Sequence, residues 1–194
     1  MKIRRIALWL LLCCMPAYAG VEVAGVGFEP SVKVGADGTV LNGVGVRRVL
    51  FFKAYALALY LPQRSGASYG ALSMPGGKRL RMVCLREISA EQFVNALNEG
   101  LKKNLDEKRM LQLFDRLERF KQTLIEQRTA AKGADITLDW LPQTNGGVTR
   151  LSIDGKVRGE DIPGEDFFQA LLSIWLGDNP PALELKDALL GKMP

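Results

Sequence analysis

Three polar side chains at alternating positions, Arg47, Lys53 and Tyr55, lie close together in a mainly apolar part of the sequence. Residues 42–61 read NGVGVRRVLFFKAYALALYL, in which Arg47 and Lys53 carry cations and Tyr55 carries a phenol. A guanidinium binds a carboxylate through charge-assisted hydrogen bonds, and a phenol can donate another hydrogen bond. Among apolar neighbours, this combination is typical of a pocket for an amphiphile with an anionic or phenolate head group.

The same residues have a purely structural interpretation. Lys53 can extend its ammonium group to water along an apolar surface, and Tyr55 can be a core ring with a hydrated hydroxyl. Arg47 can lie at a solvated strand end. On this stretch of sequence alone, the structural interpretation is preferred.

The run after Gly45 is long and apolar enough for a central strand or a pair of strands. Asn42-Gly43 predicts a turn before it, and Gly45 predicts a place that another part of the chain approaches closely. In a single straight strand, side-chain alternation places Arg47, Lys53 and Tyr55 on one face, together with Phe51 and Leu57.

The first 19 residues have the pattern of a secretory signal peptide. A basic start is followed by a short apolar run at residues 6–14, and Ala17-Tyr18-Ala19 provides a small-x-small cleavage site. We expect residues 1–19 to be removed, leaving residues 20–194 as one domain that is exported to the periplasm. The apolar run is too short to span a bilayer comfortably, and no later segment does so.

Composition excludes several classes of function. The predicted signal peptide holds three of the 26 basic residues and none of the 21 acidic ones, which leaves a net charge of +2 and no sign of nucleic-acid binding. The sequence contains no histidine, so a catalytic triad and most zinc sites are excluded. Cys84 is the one cysteine outside the signal peptide, and we expect it to be buried and inert. No cofactor is expected.

The order of the predicted elements indicates an α+β fold. Short strands at residues 21–41 include a hairpin signal at Asp37-Gly38, and a strand follows at residues 78–85. Ser89 and Gln92 form a capping box before one helix, and a second helix begins near Asp106. The remaining elements are a strand at 136–140, a hairpin turning at Asp154-Gly155, and helices at 167–177 and 183–190.

Four segments in order resemble the chalcone isomerase-like superfamily. They are NGVGVRRVLFFKAYALALYL, the helix that opens at Ser89, KGADITLDW, and FFQALLSIWLGDNPPALELKDALLG. The last segment is especially similar to the exported bacterial branch. The resemblance implies an open-faced β-sandwich, in which a large antiparallel sheet is covered on one side by helices and a ligand cleft lies between them.

The family includes plant enzymes that cyclise a chalcone to a flavanone and non-catalytic members that bind fatty acids. The resemblance implies that Arg47, just after the Gly-x-Gly, holds the ligand's negative charge and that Tyr55 assists it. The tyrosine that the enzymes use at the start of the first long helix falls here on Phe93. Polar positions further on fall near Ala96 and Gly100, and a hydroxyl position in the last long helix falls on Ile174.

We therefore expect a binding protein for a fatty acid or similar hydrophobic carboxylate. Arg47 and Tyr55 would hold the head group with help from Lys53, while the cleft walls would include Phe51, Leu57, Phe93, Ile174 and Trp175. The alternatives are an isomerase of the intramolecular lyase type, using Arg47 and Tyr55, and an interaction protein without a ligand.

Arg47 and Tyr55 are eight residues apart and would lie roughly 26 Å apart on a straight strand. One small head group cannot contact both across that distance. We therefore predict a bulge or tight reversal at about residues 48–52 that returns Arg47 to Tyr55, although no glycine or proline lies between Arg48 and Ala54.

Overall fold

A computed structural model describes residues 20–192, so the predicted signal peptide at residues 1–19 lies outside the described residues. Within this range no helix is long and apolar enough to cross a bilayer. The strands are β1 (Val21–Val23), β2 (Val26–Phe28), β3 (Ser31–Val34), β4 (Asp37–Val49), β5 (Phe52–Leu61), β6 (Lys78–Cys84), β7 (Ile88–Ser89), β8 (Thr129–Ala130), β9 (Asp135–Gln143), β10 (Gly146–Ile153) and β11 (Lys156–Pro163). The helices are α1 (Ser68–Ser73), α2 (Ala90–Asn104), α3 (Glu107–Glu126), α4 (Glu165–Leu176) and α5 (Leu183–Leu189).

Seven strands form one antiparallel sheet in the order β11-β10-β9-β6-β5-β4-β3. Alternating residues of β5 separate the two faces of this sheet. Leu57, Leu59 and Leu61 belong to the main core beneath the helices, whereas Ala56 and Ala58 join a smaller cluster around Phe28. The predicted α+β open-faced β-sandwich is confirmed, with helices packed on one side of a large antiparallel sheet.

The helix α4 forms the centre of the helical layer. Every residue from Phe167 to Leu176, apart from Gln169, is buried, which is the expected state of a helix that is apolar on nearly all sides. Fully burying one leucine or phenylalanine side chain contributes about 1.5–3 kcal/mol, so α4 is a major source of stability.

The two long helices before α4 begin as predicted. The Ser89 side chain accepts from the backbone N–H of Gln92, and the Gln92 side chain accepts from the backbone N–H of Ser89. Asp106 caps α3. The buried face of α3 runs through Leu113, Leu117 and Phe120 and leaves Phe114 56% exposed.

Two turn assignments from sequence also need correction. Asn42-Gly43 lies inside β4 at a register shift, because the Asn42 side chain donates to the carbonyls of Leu189 and Ser65. The β3–β4 hairpin turns before Asp37, which pairs with Val34, and therefore not at Asp37-Gly38.

The close approach predicted at Gly45 is confirmed. A Cβ atom on Gly45 would lie 2.9 Å from side-chain atoms of Ala188 and Leu185 on α5. The hairpin predicted at Asp154-Gly155 is also confirmed, with a positive φ at both residues of the loop.

Candidate functional site

The β4–β5 hairpin forms the frame of the candidate site. β4 ends at Val49 and β5 begins at Phe52, so the chain reverses through two residues, Leu50 and Phe51. The register shifts between Arg47 and Arg48, and Arg47 pairs directly with Tyr55 across the two strands. The predicted tight reversal is confirmed, and it brings the two residues onto opposite positions of neighbouring strands, where side chains interact.

A cavity of about 90 Å³ lies between the sheet and the helices α2, α3 and α4. The sheet contributes Tyr55, Met82, Ile136, Leu138 and Leu151 to its wall, and the helices contribute Phe93, Ala96, Leu97, Phe120, Leu124, Leu171, Ile174 and Trp175. Among these lining side chains, only Tyr55 and Trp175 carry a nitrogen or oxygen atom. An apolar space with few convergent polar groups is the usual composition of a small-molecule site.

The two polar groups of the cavity wall are joined to each other. The Trp175 indole nitrogen donates to the Tyr55 hydroxyl oxygen over 3.0 Å. The hydrogen of the Tyr55 hydroxyl has no acceptor among residues 20–192 and is therefore free to donate to a ligand. Burial raises the pKa of Tyr55 above its ordinary value, against smaller lowering effects of the Trp175 hydrogen bond and the Arg47 charge. Tyr55 is thus a neutral donor at physiological pH.

Arg47 is half-buried and supplies a cation beside Tyr55. Its guanidinium donates to the backbone carbonyl of Arg48, and within the described part of the chain it makes no ion pair. The hydrogen bond and charge of Lys103 lower the pKa of Glu99 on α2, and the Arg47 charge adds to this effect. The Arg47 charge therefore acts on Glu99 of α2 at a distance, and within residues 20–192 no carboxylate contacts Arg47 directly.

The structure separates the predicted site residues into two groups. Tyr55, Phe93, Ile174 and Trp175 line the cavity, whereas Arg47, although it pairs with Tyr55, is not part of the lining. Phe51 does not, because it lies at the turn of the hairpin and is 97% exposed.

Lys53 and Leu57 also lie away from the cavity. Lys53 is exposed opposite Arg48, since the reversal at Leu50 and Phe51 carries the start of β5 away from the core. Leu57 is fully buried in the core without lining the cavity. Placing Phe51 and Lys53 on the Tyr55 face was wrong, because Phe51 lies in the turn and the register shift puts Lys53 opposite Arg48 while Tyr55 lies opposite Arg47.

The sequence model of the chalcone isomerase-like family matches residues 20–191. The chain belongs to the chalcone isomerase-like family. Among solved structures, the chain is similar to a fatty-acid binding protein of Arabidopsis thaliana, at 15% identity and a TM-score of 0.69. The likeness covers 89% of this chain and 96% of the plant protein, and it shows a shared fold. No curated protein sequence matches the chain.

This member of the chalcone isomerase-like family has an apolar surface at the positions where the resemblance implies polar groups in the enzymes. Phe93 and Ala96 line the cavity from α2, and Ile174 lines it from α4. Gly100 lies against Ile174, since a Cβ atom on Gly100 would be 2.6 Å from a methyl carbon of that side chain. The helical wall therefore offers no hydroxyl or amide group to orient a flavonoid.

Sequence reasoning missed the hydrogen bond between Trp175 and Tyr55. Trp175 was predicted as an apolar wall, although a buried indole N–H usually requires an acceptor, and that requirement is the signal that could have pointed to a partner. The contribution of Leu171, one turn before Trp175 on α4, was also missed. Its i, i+4 relation to Trp175 could have indicated it.

The outer face of the sheet carries charges, and they are paired within the chain. Arg79 donates to both carboxylate oxygens of Asp139 at 2.6 Å, and Arg81 contacts Asp135 and Glu29. These groups have their counter-ions already and offer no free anchor. Cys84 lies in the main core, as predicted, and burial raises its pKa to about 11, so it is an unreactive thiol.

Proposed function

We propose that this protein is an exported, non-catalytic binding protein for a fatty acid or a similar hydrophobic carboxylate. The observation that carries the proposal is the apolar cavity with an unused hydroxyl donor at Tyr55 in its wall, next to which the cation of Arg47 lies on the neighbouring strand outside the lining. The signal-peptide pattern at residues 1–19 supports export, and the closing segment supports membership of the exported bacterial branch of the family.

The two polar residues suit a carboxylate better than an uncharged head group. Arg47 supplies positive charge, and Tyr55 remains protonated because its pKa is raised. A hydrogen bond to a charged group contributes roughly 1.5–3 kcal/mol net. Each buried methylene adds about 0.8 kcal/mol, so ten of them give about 8 kcal/mol before the cost of association. The acyl chain would set the affinity, and the head group would set the orientation.

The cavity must enlarge to accept a long acyl chain. Its volume of about 90 Å³ is below the roughly 300–1,000 Å³ of typical ligand sites. Phe93 is half-buried and Ala96 is exposed, so the α2 wall is the part of the lining that borders solvent. We infer that the ligand enters beside α2 and displaces side chains of that wall.

An isomerase is the less well supported alternative. Arg47 would stabilise a developing oxyanion in such an enzyme. However, a tyrosine whose pKa is raised is a poor general base, and the helical wall of the cavity has no hydroxyl or amide group. An interaction protein without a ligand would be favoured by Arg47 buried against a carboxylate of the same chain with no cavity present, and the described residues show neither feature.

The test begins with protein produced from the full gene in bacteria and purified from the periplasmic fraction. Export predicts an N-terminus at Gly20. Solvent extraction and mass spectrometry should detect a co-purified fatty acid, and added fatty acids should raise the melting temperature of stripped protein. Fatty alcohols of equal length should bind more weakly, because they lack the charge that Arg47 recognises.

The anchor is tested by Arg47→Gln, with Arg119→Gln as the matched control on the exposed face of α3. We expect Arg47→Gln to weaken fatty-acid binding roughly 10- to 150-fold and to abolish the preference for acid over alcohol. Absence of bound acid together with no thermal shift would refute the proposal. Flavanone formation above the spontaneous rate, lost in Arg47→Gln, would favour the isomerase.

A further inference from the structure

The turn of the β4–β5 hairpin exposes four apolar side chains in a row. Val49 is 47% exposed, Leu50 86%, Phe51 97% and Phe52 59%. We call residues 49–52 the hairpin tip. It extends beyond the core and therefore gains almost nothing from burial, whereas contiguous exposed apolar surface commonly marks an interaction site.

The backbone of the hairpin tip does not suit its residues. Leu50 has a φ of 53°, in the left-handed region where glycine or asparagine is favoured and a bulky apolar residue is uncommon. Two-residue hairpin loops are most often formed by pairs such as Asn-Gly. Leu50 and Phe51 therefore occupy a turn that other residues would form more easily.

Three cations border the hairpin tip, and we call them the basic collar. Arg48 and Lys53 pair directly opposite each other, next to the pair formed by Val49 and Phe52. The Arg86 guanidinium lies 5.2 Å from the centre of the Phe52 ring. All three are exposed, and none makes an ion pair within residues 20–192. The acidic residue nearest to Arg86 in the sequence is its neighbour Glu87, which makes no ion pair with it within the described residues.

We propose that the hairpin tip docks on a membrane surface that contains anionic phospholipid. Apolar side chains with adjacent cations are the combination that enters the interface of such a membrane, typically to a depth of about 5–10 Å. Arg48 and Lys53 are the second residues on either side of the turn, which at about 3.3 Å per residue puts them roughly 7 Å from it, within this range of depths. Inserting the tip to this depth places the basic collar at the level of the lipid phosphates.

Charge distinguishes this partner from a second copy of the chain. Two hairpin tips meeting face to face would bring two basic collars together, and like charges in close contact oppose association. An anionic lipid surface complements the basic collar instead. The inference does not depend on the proposed ligand, since none of the tip or collar residues lines the cavity.

Docking would bring the cavity close to the lipid surface. Arg47 and Tyr55 lie three and four residues from the turn residues Leu50 and Phe51, or roughly 10–13 Å along the strands. A hydrophobic carboxylate leaving the membrane would therefore meet Arg47 soon after the lipid phosphates.

The experiment is flotation of the processed protein with vesicles of phosphatidylcholine, alone or mixed with phosphatidylglycerol. Leu50→Asn/Phe51→Ser removes the apolar tip, and Arg48→Gln/Lys53→Gln removes two collar charges. Asparagine suits the positive φ of residue 50, so the tip variant should fold.

Matched controls lie on α3. Leu111→Ser/Phe114→Ser removes two exposed apolar side chains, and Lys108→Gln/Arg109→Gln removes two exposed charges.

We expect the wild type to bind the mixed vesicles, to bind phosphatidylcholine more weakly, and to lose affinity as salt is added. The affinity for the mixed vesicles should fall about tenfold or more in the tip variant and roughly 30-fold in the collar variant. In Phe51→Trp, brominated lipid should quench the new tryptophan.

Three results would overturn the proposal. The first is that the wild type does not float with the vesicles. The second is that the α3 controls lose as much vesicle affinity as the hairpin variants. The third is that the chain self-associates through the hairpin tip and does not bind vesicles. Fatty-acid binding should remain in both hairpin variants, so failure of docking is distinguishable from failure of the proposed function.

Discussion

Replacing Tyr55 by phenylalanine tests the polar end of the cavity most directly. Trp175 is only 8% exposed, and its indole nitrogen donates to the Tyr55 hydroxyl over 3.0 Å. In Tyr55→Phe this N–H loses its acceptor in a place with little access to water. Leaving a buried donor unsatisfied costs roughly 1–3 kcal/mol, so we expect the free energy of unfolding to fall by that amount.

A double-mutant cycle separates the hydrogen bond from the packing of the two rings. Trp175→Phe and the double variant complete the cycle, and we expect a coupling energy of about 1 kcal/mol between the positions. Tyr69→Phe is the matched control, because Tyr69 is 81% exposed and its change should stay within about 0.5 kcal/mol. Urea unfolding followed by tryptophan fluorescence supplies the free energies.

The same variant tests ligand binding independently of stability. The Tyr55 hydroxyl hydrogen has no acceptor among the described residues, so its removal should weaken fatty-acid binding roughly 10- to 150-fold. Titration calorimetry on stripped protein provides this measurement. A Tyr55→Phe variant with wild-type stability and wild-type affinity would refute both the energetic role of the Trp175 contact and the head-group role of Tyr55.

Two further predictions concern packing and buried charge. Gly100→Ala should destabilise by about 1–3 kcal/mol in urea unfolding, because its Cβ would lie 2.6 Å from Ile174; in an Ile174→Ala background it should be neutral or stabilising. Glu165→Gln should lower the free energy of unfolding by about 3–5 kcal/mol, since it removes the counter-ion of the fully buried Lys78. Lys78→Met should lower it by less than about 1 kcal/mol, because the Glu165 carboxylate that remains is 43% exposed and can be hydrated. Burial lowers the pKa of Lys78, so as the pH rises the folded state releases this proton before the unfolded state does. The contribution of Lys78 to the free energy of unfolding should therefore rise with pH between its folded and unfolded pKa values. Equal losses in Glu165→Gln and Lys78→Met would contradict the charge argument.

The sequence predicted turns well where local chemistry determines them. Asp154-Gly155 forms the expected hairpin loop because both residues accept a positive φ. Asn42-Gly43 has equally strong turn chemistry and yet continues β4, where the Asn42 amide binds the carbonyl of Leu189. That contact joins residues 147 positions apart, which a local pattern cannot include.

The reversal at Leu50 and Phe51 presents the opposite case. No turn residue announces it, and it was predicted only because Arg47 and Tyr55 could not otherwise meet. Periodicity therefore assigned Phe51 and Lys53 to the wrong place, whereas the family resemblance pointed to Phe93 and Ile174, which line the cavity. The small cavity volume depends on the packing of three helices against the sheet, and no sequence pattern encodes that distance.

The two ends of the β4–β5 hairpin follow different physical rules. Near the core, Leu57 and Leu59 alternate inward and stabilise the sheet by burial. At the turn, Leu50 has an unfavourable φ, Phe51 is solvated, and Arg48 faces the like charge of Lys53, which opposes strand pairing. Each feature of the tip weakens the folded state, and a polar turn with opposite charges would stabilise the same hairpin. Local choices that conflict with stability in this way are typical of functional sites, and docking on anionic lipid accounts for all three together.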